Sequence, residues 1–325
     1  MKNILSRIGI DWFLPALAAS ILFARFFSEA GIYSGPFSLH TLSGYGITVI
    51  FFFYGLRQDP RRFIQGLENW KLHALIQSAT FVLFPALAFL LLPFFSEGMH
   101  DPIWKGIYFL CVLPSTVSTS VVMVSVAGGN IPAAIFNASL SGILGVFITP
   151  LWMSILLQSS SGGPELSVIL SKLTIQILLP VALGFLLHSR LAGFAEKNRK
   201  RLRVFDQLVI LSIVYISFAR SFSNNAFSSV ELKDLLFLSA GMALLFALVF
   251  GLLNFTGTFA GFDSADRKTL VFCGSKKSLV HGTVMSAVFF AQTSGAGVVL
   301  LPLMLYHALQ IVFASILAKR MNPNR

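Results

Sequence analysis

Charge is what this chain has least of. Of its 325 residues, 11% are Asp, Glu, Lys or Arg, against 55% that are hydrophobic. A soluble domain carries roughly 25% charged residues. That excludes an ordinary water-soluble core, and the hydrophilic gaps are too short for a separate soluble domain. Acidic residues are the scarcer sign, 13 against 24 basic ones, and none lies deep in an apolar run: Asp11, Asp206 and Asp263 sit near ends. A carboxylate proton relay through the apolar region is therefore not expected. Cysteine is nearly absent too. Cys111 and Cys273 lie inside apolar runs without ligand-type spacing, which excludes a disulfide framework or thiolate metal site and leaves two small buried residues. The first apolar run leads into Arg25 and Glu29 rather than a small-residue cleavage site, so no cleavable signal peptide is expected.

What is present in abundance is apolar sequence in lengths that cross a bilayer, about 20 residues each. Ten such runs occur, at 10–28, 39–56, 72–95, 103–127, 131–157, 167–188, 205–222, 235–256, 269–290 and 297–318. The expected fold class is all-α, a polytopic membrane protein of ten transmembrane helices. The net charge of +11 raises the question of nucleic acid, but the basic residues concentrate in alternate short connections. These hold Lys2 and Arg7; Arg57, Arg61, Arg62 and Lys71; Arg190 through Arg203; Arg267 and Lys268; and Lys319, Arg320 and Arg325. That alternation is the positive-inside pattern. It predicts a multi-pass protein of the cell inner membrane with both termini cytoplasmic, a lipid bilayer as partner and no nucleic acid. The longest basic stretch, Glu196-Lys-Asn-Arg-Lys-Arg-Leu-Arg203, reads as a topology anchor, with a lipid-headgroup site as the alternative.

The two halves resemble each other. Leu14-Pro15 precedes Arg25 at the spacing by which Leu179-Pro180 precedes Arg190, and Phe53-Tyr-Gly-Leu-Arg57 is echoed by Ile216-Ser-Phe-Ala-Arg220. The repeats are 1–157 and 158–325. Five spans are an odd number, so the second copy enters the membrane inverted, a plan common among transporters.

Two runs cannot be plain helices. The fourth contains Pro114 followed by Ser115, Thr116, Ser118, Thr119 and Ser120; proline removes a donor and disfavours helix before it. The ninth contains Cys273-Gly-Ser-Lys-Lys-Ser278. A charge at mid-bilayer costs on the order of 2.5–3.5 kcal/mol or more, so Lys276 and Lys277 must face protein or water. Interrupted segments at matching places in two halves mark a transporter's binding site. Broken helices four and nine are expected to cross there.

These stretches carry a resemblance. Ala127-Gly-Gly-Asn130, Phe136-Asn-Ala-Ser-Leu-Ser141 and Thr149-Pro150, with Phe272-Cys-Gly-Ser-Lys-Lys-Ser278, resemble the bile acid:sodium symporter family, in its bacterial SBF-like branch. The resemblance implies a core domain (spans 3–5 and 8–10) and a panel domain (spans 1, 2, 6 and 7), with substrate between them and alternating access by their relative motion. It implies cation-site roles for Gln77, Ser118, Thr119, Ser120, Asn137 and Ser139. The chain also departs from it. Sodium-coupled members have a glutamate and a glutamine in the ninth-helix break, where this chain has Phe272 and Lys276.

An ammonium repels a neighbouring sodium ion. Lys276 is therefore expected to replace one cation, donating to Gln77, hydroxyls and carbonyls. Lys277, with Ser275, His281 and Thr116, is expected nearer the substrate. The functional reading is a secondary transporter of a small organic anion, not an enzyme, with sodium coupling through at most one site and no other cofactor. Its alternatives are a membrane sensor or regulator that keeps the fold without transporting and, more remotely, a hydrolase using Ser275 or Ser278 with Lys276. The sequence sets no oligomeric state.

Overall fold

A computed structural model describes residues 12–58, 69–158, 171–228, 230–291 and 293–322. Asp11, Lys2, Arg7, Arg61, Arg62 and Arg325, and the starts of the first and sixth apolar runs at 10–11 and 167–170, lie outside the described residues. Among those described, the secondary structure is helical throughout, with no strand.

The helices are α1 (Phe13–Phe26), α2 (Ser28–Ile32), α3 (Leu39–Leu56), α4 (Trp70–Ser78), α5 (Phe84–Leu91), α6 (Pro102–Val112), α7 (Ser118–Ala127), α8 (Ile131–Gln158), α9 (Leu179–Leu186), α10 (His188–Lys197), α11 (Arg199–Ser223), α12 (Leu232–Phe259), α13 (Ser264–Gly274), α14 (Leu279–Phe289) and α15 (Ala296–Arg320). A π turn, Ala79–Leu83, joins α4 to α5 without interruption, and another, Thr174–Leu178, leads into α9. Six helical spans among the described residues are long and apolar enough to cross a membrane: Leu39–Leu56, Trp70–Phe94, Ile131–Leu156, Arg199–Ser223, Leu232–Phe259 and Ala296–Arg320. Helix α12 has a mean hydropathy of 2.5 over its most apolar stretch, yet only 28% of that stretch is buried. A helix that is apolar all round but largely uncovered by protein is one that faces lipid.

Side chains place the ends. Asp101 accepts from the Ile103 and Trp104 amides at 2.8 and 3.0 Å, with Pro102 in the first turn of α6. Asp263 caps α13 by accepting from the Asp266 amide at 2.7 Å. Helices α1, α3, α9 and α11 pack on one another; α4 to α8 and α12 to α15 form a second group, and α11 joins the two through α14 and α15. Glycines let α3 and α9 meet backbone to backbone. A Cβ on Gly55 would come 2.1 Å from the Val181 carbonyl oxygen, and one on Gly184 would come 2.0 Å from that of Phe52.

Polar contacts join neighbouring segments near the helix ends. Arg57 pairs with Asp206 at 3.3 Å, Asn322 donates to the Val126 carbonyl at 3.0 Å, and Asn130 donates to Asp266 at 2.8 Å.

Candidate functional site: two broken helices and a cationic cavity

The chain between α6 and α7 leaves the helix at Leu113 and re-enters it at Ser118. A break exposes backbone groups that must find partners in an apolar surround, and here side chains supply them. Thr149 Oγ1 donates to the Val112 carbonyl at 2.7 Å, and the Ser115 amide donates to Ser141 Oγ at 2.9 Å. The second break, Ser275–Ser278, separates α13 from α14. Tyr306 Oη donates to the Ser275 carbonyl at 2.6 Å, and Gln310 brackets Lys277, accepting from its amide and donating to its carbonyl at 2.9 Å each. The breaks also bind each other. The Ser278 amide donates to the Pro114 carbonyl at 2.9 Å, and Ser115 Oγ donates to the Cys273 carbonyl at 2.6 Å.

Lys277 fastens this crossing. Its side chain is wholly buried. Its ammonium donates to the carbonyls of Thr80 (2.8 Å), Cys111 (2.6 Å) and Leu113 (2.8 Å) and lies 4.1 Å from the centre of the Phe84 ring. Three donors thus meet three acceptors, with an aromatic face beside them. Each acceptor is available for a local reason. Cys111 and Leu113 lie at the carbonyl end of α6, where helix partners run out. Thr80 sits in the π turn, in which the Phe84 amide bonds to the Ala79 carbonyl. The next donor in that register would be residue 85, which is proline and has no N–H. Lys276 is also wholly buried, and its ammonium donates to the Thr119 carbonyl at 2.8 Å.

The surroundings of the two lysines therefore differ from the division expected from sequence: Lys277, expected nearer the substrate, has the fuller shell of carbonyls. The reason is that residues 276–278 are not helical, so the backbone of the break, not helical phase, sets where each side chain goes. The other expected positions divide as well. Gln77 Nε2 donates to the Asn137 carbonyl and Oδ1 at 3.3 and 3.2 Å, and Asn137 in turn contacts His73 Nδ1 at 2.7 Å. Gln77 Oε1 and Ser120 Oγ are buried without a hydrogen-bond partner among the described residues. Ser118 is exposed, Thr119 Oγ1 donates to Thr116 Oγ1 at 3.3 Å, and the Ser139 carbonyl accepts from Tyr54 Oη at 3.3 Å. Ser275 Oγ turns back on the Val271 carbonyl at 2.6 Å.

A cavity of about 110 Å³ opens between the two helix groups, beside the start of α3 and the end of α11. Its wall includes His40, Lys172 and Arg220, the hydroxyls of Ser43, Ser217 and Ser286, and apolar Ile47, Ile213, Ile216 and Phe290. Arg220 also donates to the Ala291 carbonyl at the end of α14. A smaller cavity of about 20 Å³ lies beside Phe51, Tyr54 and His281. His281 Nδ1 contacts Ser278 Oγ at 3.0 Å, and its Nε2 is buried without a partner among the described residues. Of the four expected substrate residues, only His281 lines either cavity; Lys277, Ser275 and Thr116 do not. Their polar groups go to bonds within the protein.

The sequence profile of the SBF-like CPA transporter family matches residues 11–323. The chain belongs to that family. It is 37% identical to an uncharacterized protein of Pseudomonas aeruginosa, over 95% of this chain and 92% of that one. It is 34% identical to YfeH of Escherichia coli K12, named provisionally a symporter, over 96% and 92%. It is 30% identical to sodium/bile acid cotransporter 7 of Rattus norvegicus, over 97% and 93%. This SBF-like chain is thus a multi-pass membrane protein of a transporter family related to the bile acid:sodium symporters, as its motifs implied.

In the sequence of this SBF-like chain His40 and Lys172 belong to no motif, and Arg220 stands out only in the echo of the second span. Lys172 and Arg220 are two of the four basic residues, with Arg25 and Lys105, inside spans near the sparsely charged side, and that was the signal available. Thr80 could not be found, because it contributes only its carbonyl.

Proposed function

We propose that this chain is a secondary transporter of a small organic anion, working by alternating access. The observation that carries the reading is the cavity: two cationic side chains, an imidazole and three hydroxyls set among aliphatic and aromatic walls, between two groups of helices. Such a site suits an amphipathic anion, with its charge against Lys172 and Arg220, the His40 imidazole beside them as a neutral hydrogen-bond partner, and its body against Ile47, Ile213 and Phe290.

In this reading ten spanning segments form two inverted repeats, 1–157 and 158–325. Support comes from counting. The six long spans are joined by α1, by the helix ending at Leu186, by α6 with α7 and by α13 with α14. Helices α1, α3, α9 and α11 act as the panel and the remaining spanning helices as the core. The membrane is the inner one, with both termini cytoplasmic, a reading supported by the concentration of basic residues in alternate connections of the sequence.

Lys277 serves as a built-in cation. Its ammonium fills an oxygen cage at the crossing, and Lys276 adds a second positive charge beside it. The buried, unpartnered oxygens of Gln77 and Ser120 are the candidate ligands of one sodium ion at most, since the neighbouring ammonium groups repel a second. The test uses proteoliposomes and radiolabelled taurocholate as first probe, with a short dicarboxylate as second. Uptake should saturate, and Lys172→Gln should raise KM roughly tenfold while leaving kcat within about twofold, as expected where one charge-assisted contact is lost. Unchanged kinetics in that variant would remove the cavity from the transport path.

A further inference from the structure

We propose that α10, together with the basic run that follows it, is an in-plane docking surface for anionic lipids of the adjoining leaflet. The helix His188–Lys197 turns 99° from the spanning helix before it, so it lies along the membrane surface. At helical spacing Leu187, Leu191, Phe194 and Ala195 share one face, and Arg190 and Lys197 lie on the flank beside Phe194. Ala195 is buried, while Leu191 is 38% and Phe194 55% exposed. That is the arrangement of an interfacial helix, with apolar residues at the acyl boundary and basic residues reaching up to headgroups.

The charge that follows fits the same occupant. Arg199, Lys200, Arg201 and Arg203 are exposed. The acid in the stretch, Glu196, pairs with Arg199 at 3.6 Å. A topology signal needs basic residues only in some loop. Here they are fixed on a surface whose apolar flank also enters lipid, and that combination selects an anionic lipid over a free anion or a neutral lipid.

The helix is held to α3 as well. His188 Nδ1 contacts the Leu56 carbonyl at 2.8 Å, and Phe194 stacks on Phe53 with ring centres 6.4 Å apart. Helix α10 also continues directly from α9 and into α11. Lipid docking therefore fastens the α1, α3, α9 and α11 group to one leaflet, leaving the other group of helices free of that attachment.

The experiment titrates the delipidated full-length protein in detergent with short-chain phosphatidylglycerol, phosphatidylcholine and glycerol phosphate, read by thermal shift. Phosphatidylglycerol should bind and stabilise. The Arg190→Gln/Lys197→Gln double variant should bind it roughly 30-fold more weakly, at about 1 kcal/mol per basic residue, with unchanged melting in its absence. Equal binding of phosphatidylcholine, equal binding of glycerol phosphate, or full affinity in the double variant would overturn the proposal. Should that variant fail to fold, Phe194→Trp in proteoliposomes replaces it. Brominated phosphatidylglycerol should quench the added tryptophan more strongly than brominated phosphatidylcholine at equal mole fraction, and equal quenching would overturn the proposal.

Discussion

At the scale of single residues, the two adjacent lysines do different work. Lys277 satisfies three carbonyls that have no helical partner, whereas Lys276 makes one such bond to Thr119. Removing a buried donor leaves its acceptors unpaired, at about 1–3 kcal/mol each. Lys277→Met, which keeps the length of the side chain, is therefore expected to lower stability by on the order of 3 kcal/mol or more. Lys276→Met should cost clearly less. Thermal unfolding of the two purified variants in the same detergent makes the comparison, and equal losses would contradict the cage. The charge of both lysines in a span was readable from sequence. Which of them is caged was not, because the answer depends on Pro85 and the π turn before it, in the third span, whereas the lysine pair lies in the ninth.

At the scale of elements, the close approach of α3 and α9 depends on Gly55 and Gly184. A Cβ at either position would meet backbone, which cannot move aside as a side chain can. Gly184→Ala is expected to separate the two helices and destabilise the protein by about 1–3 kcal/mol, the range for overpacking. Thermal unfolding would show it, and a neutral result would mean that the helices slide without cost. Gly44, by contrast, borders the large cavity and a Cβ there would meet nothing within 4 Å. Close approach along α3 thus falls at Gly46, beside Val209, and at Gly55. Both breaks were legible, since Pro114 and Gly274-Ser-Lys-Lys-Ser278 violate helix chemistry locally. The seam cavity was not, because His40, Lys172 and Arg220 come from three separate helices and converge only through packing.

At the scale of the whole molecule, two positive sites sit at different depths. One is internal and tied to the crossing of the broken helices; the other lines an opening between helix groups. In the proposed mechanism the first stands in for a transported cation and the second receives the anion. Cation stoichiometry distinguishes that account from a fully sodium-driven symporter. The most direct measurement is taurocholate uptake into proteoliposomes across a series of external sodium concentrations, with the short dicarboxylate as second probe. Saturable uptake with a sodium Hill coefficient no greater than about one, or with no sodium dependence, is the result expected where a lysine fills one cation position. A coefficient near two, or no uptake of either anion by a correctly inserted protein, would contradict it.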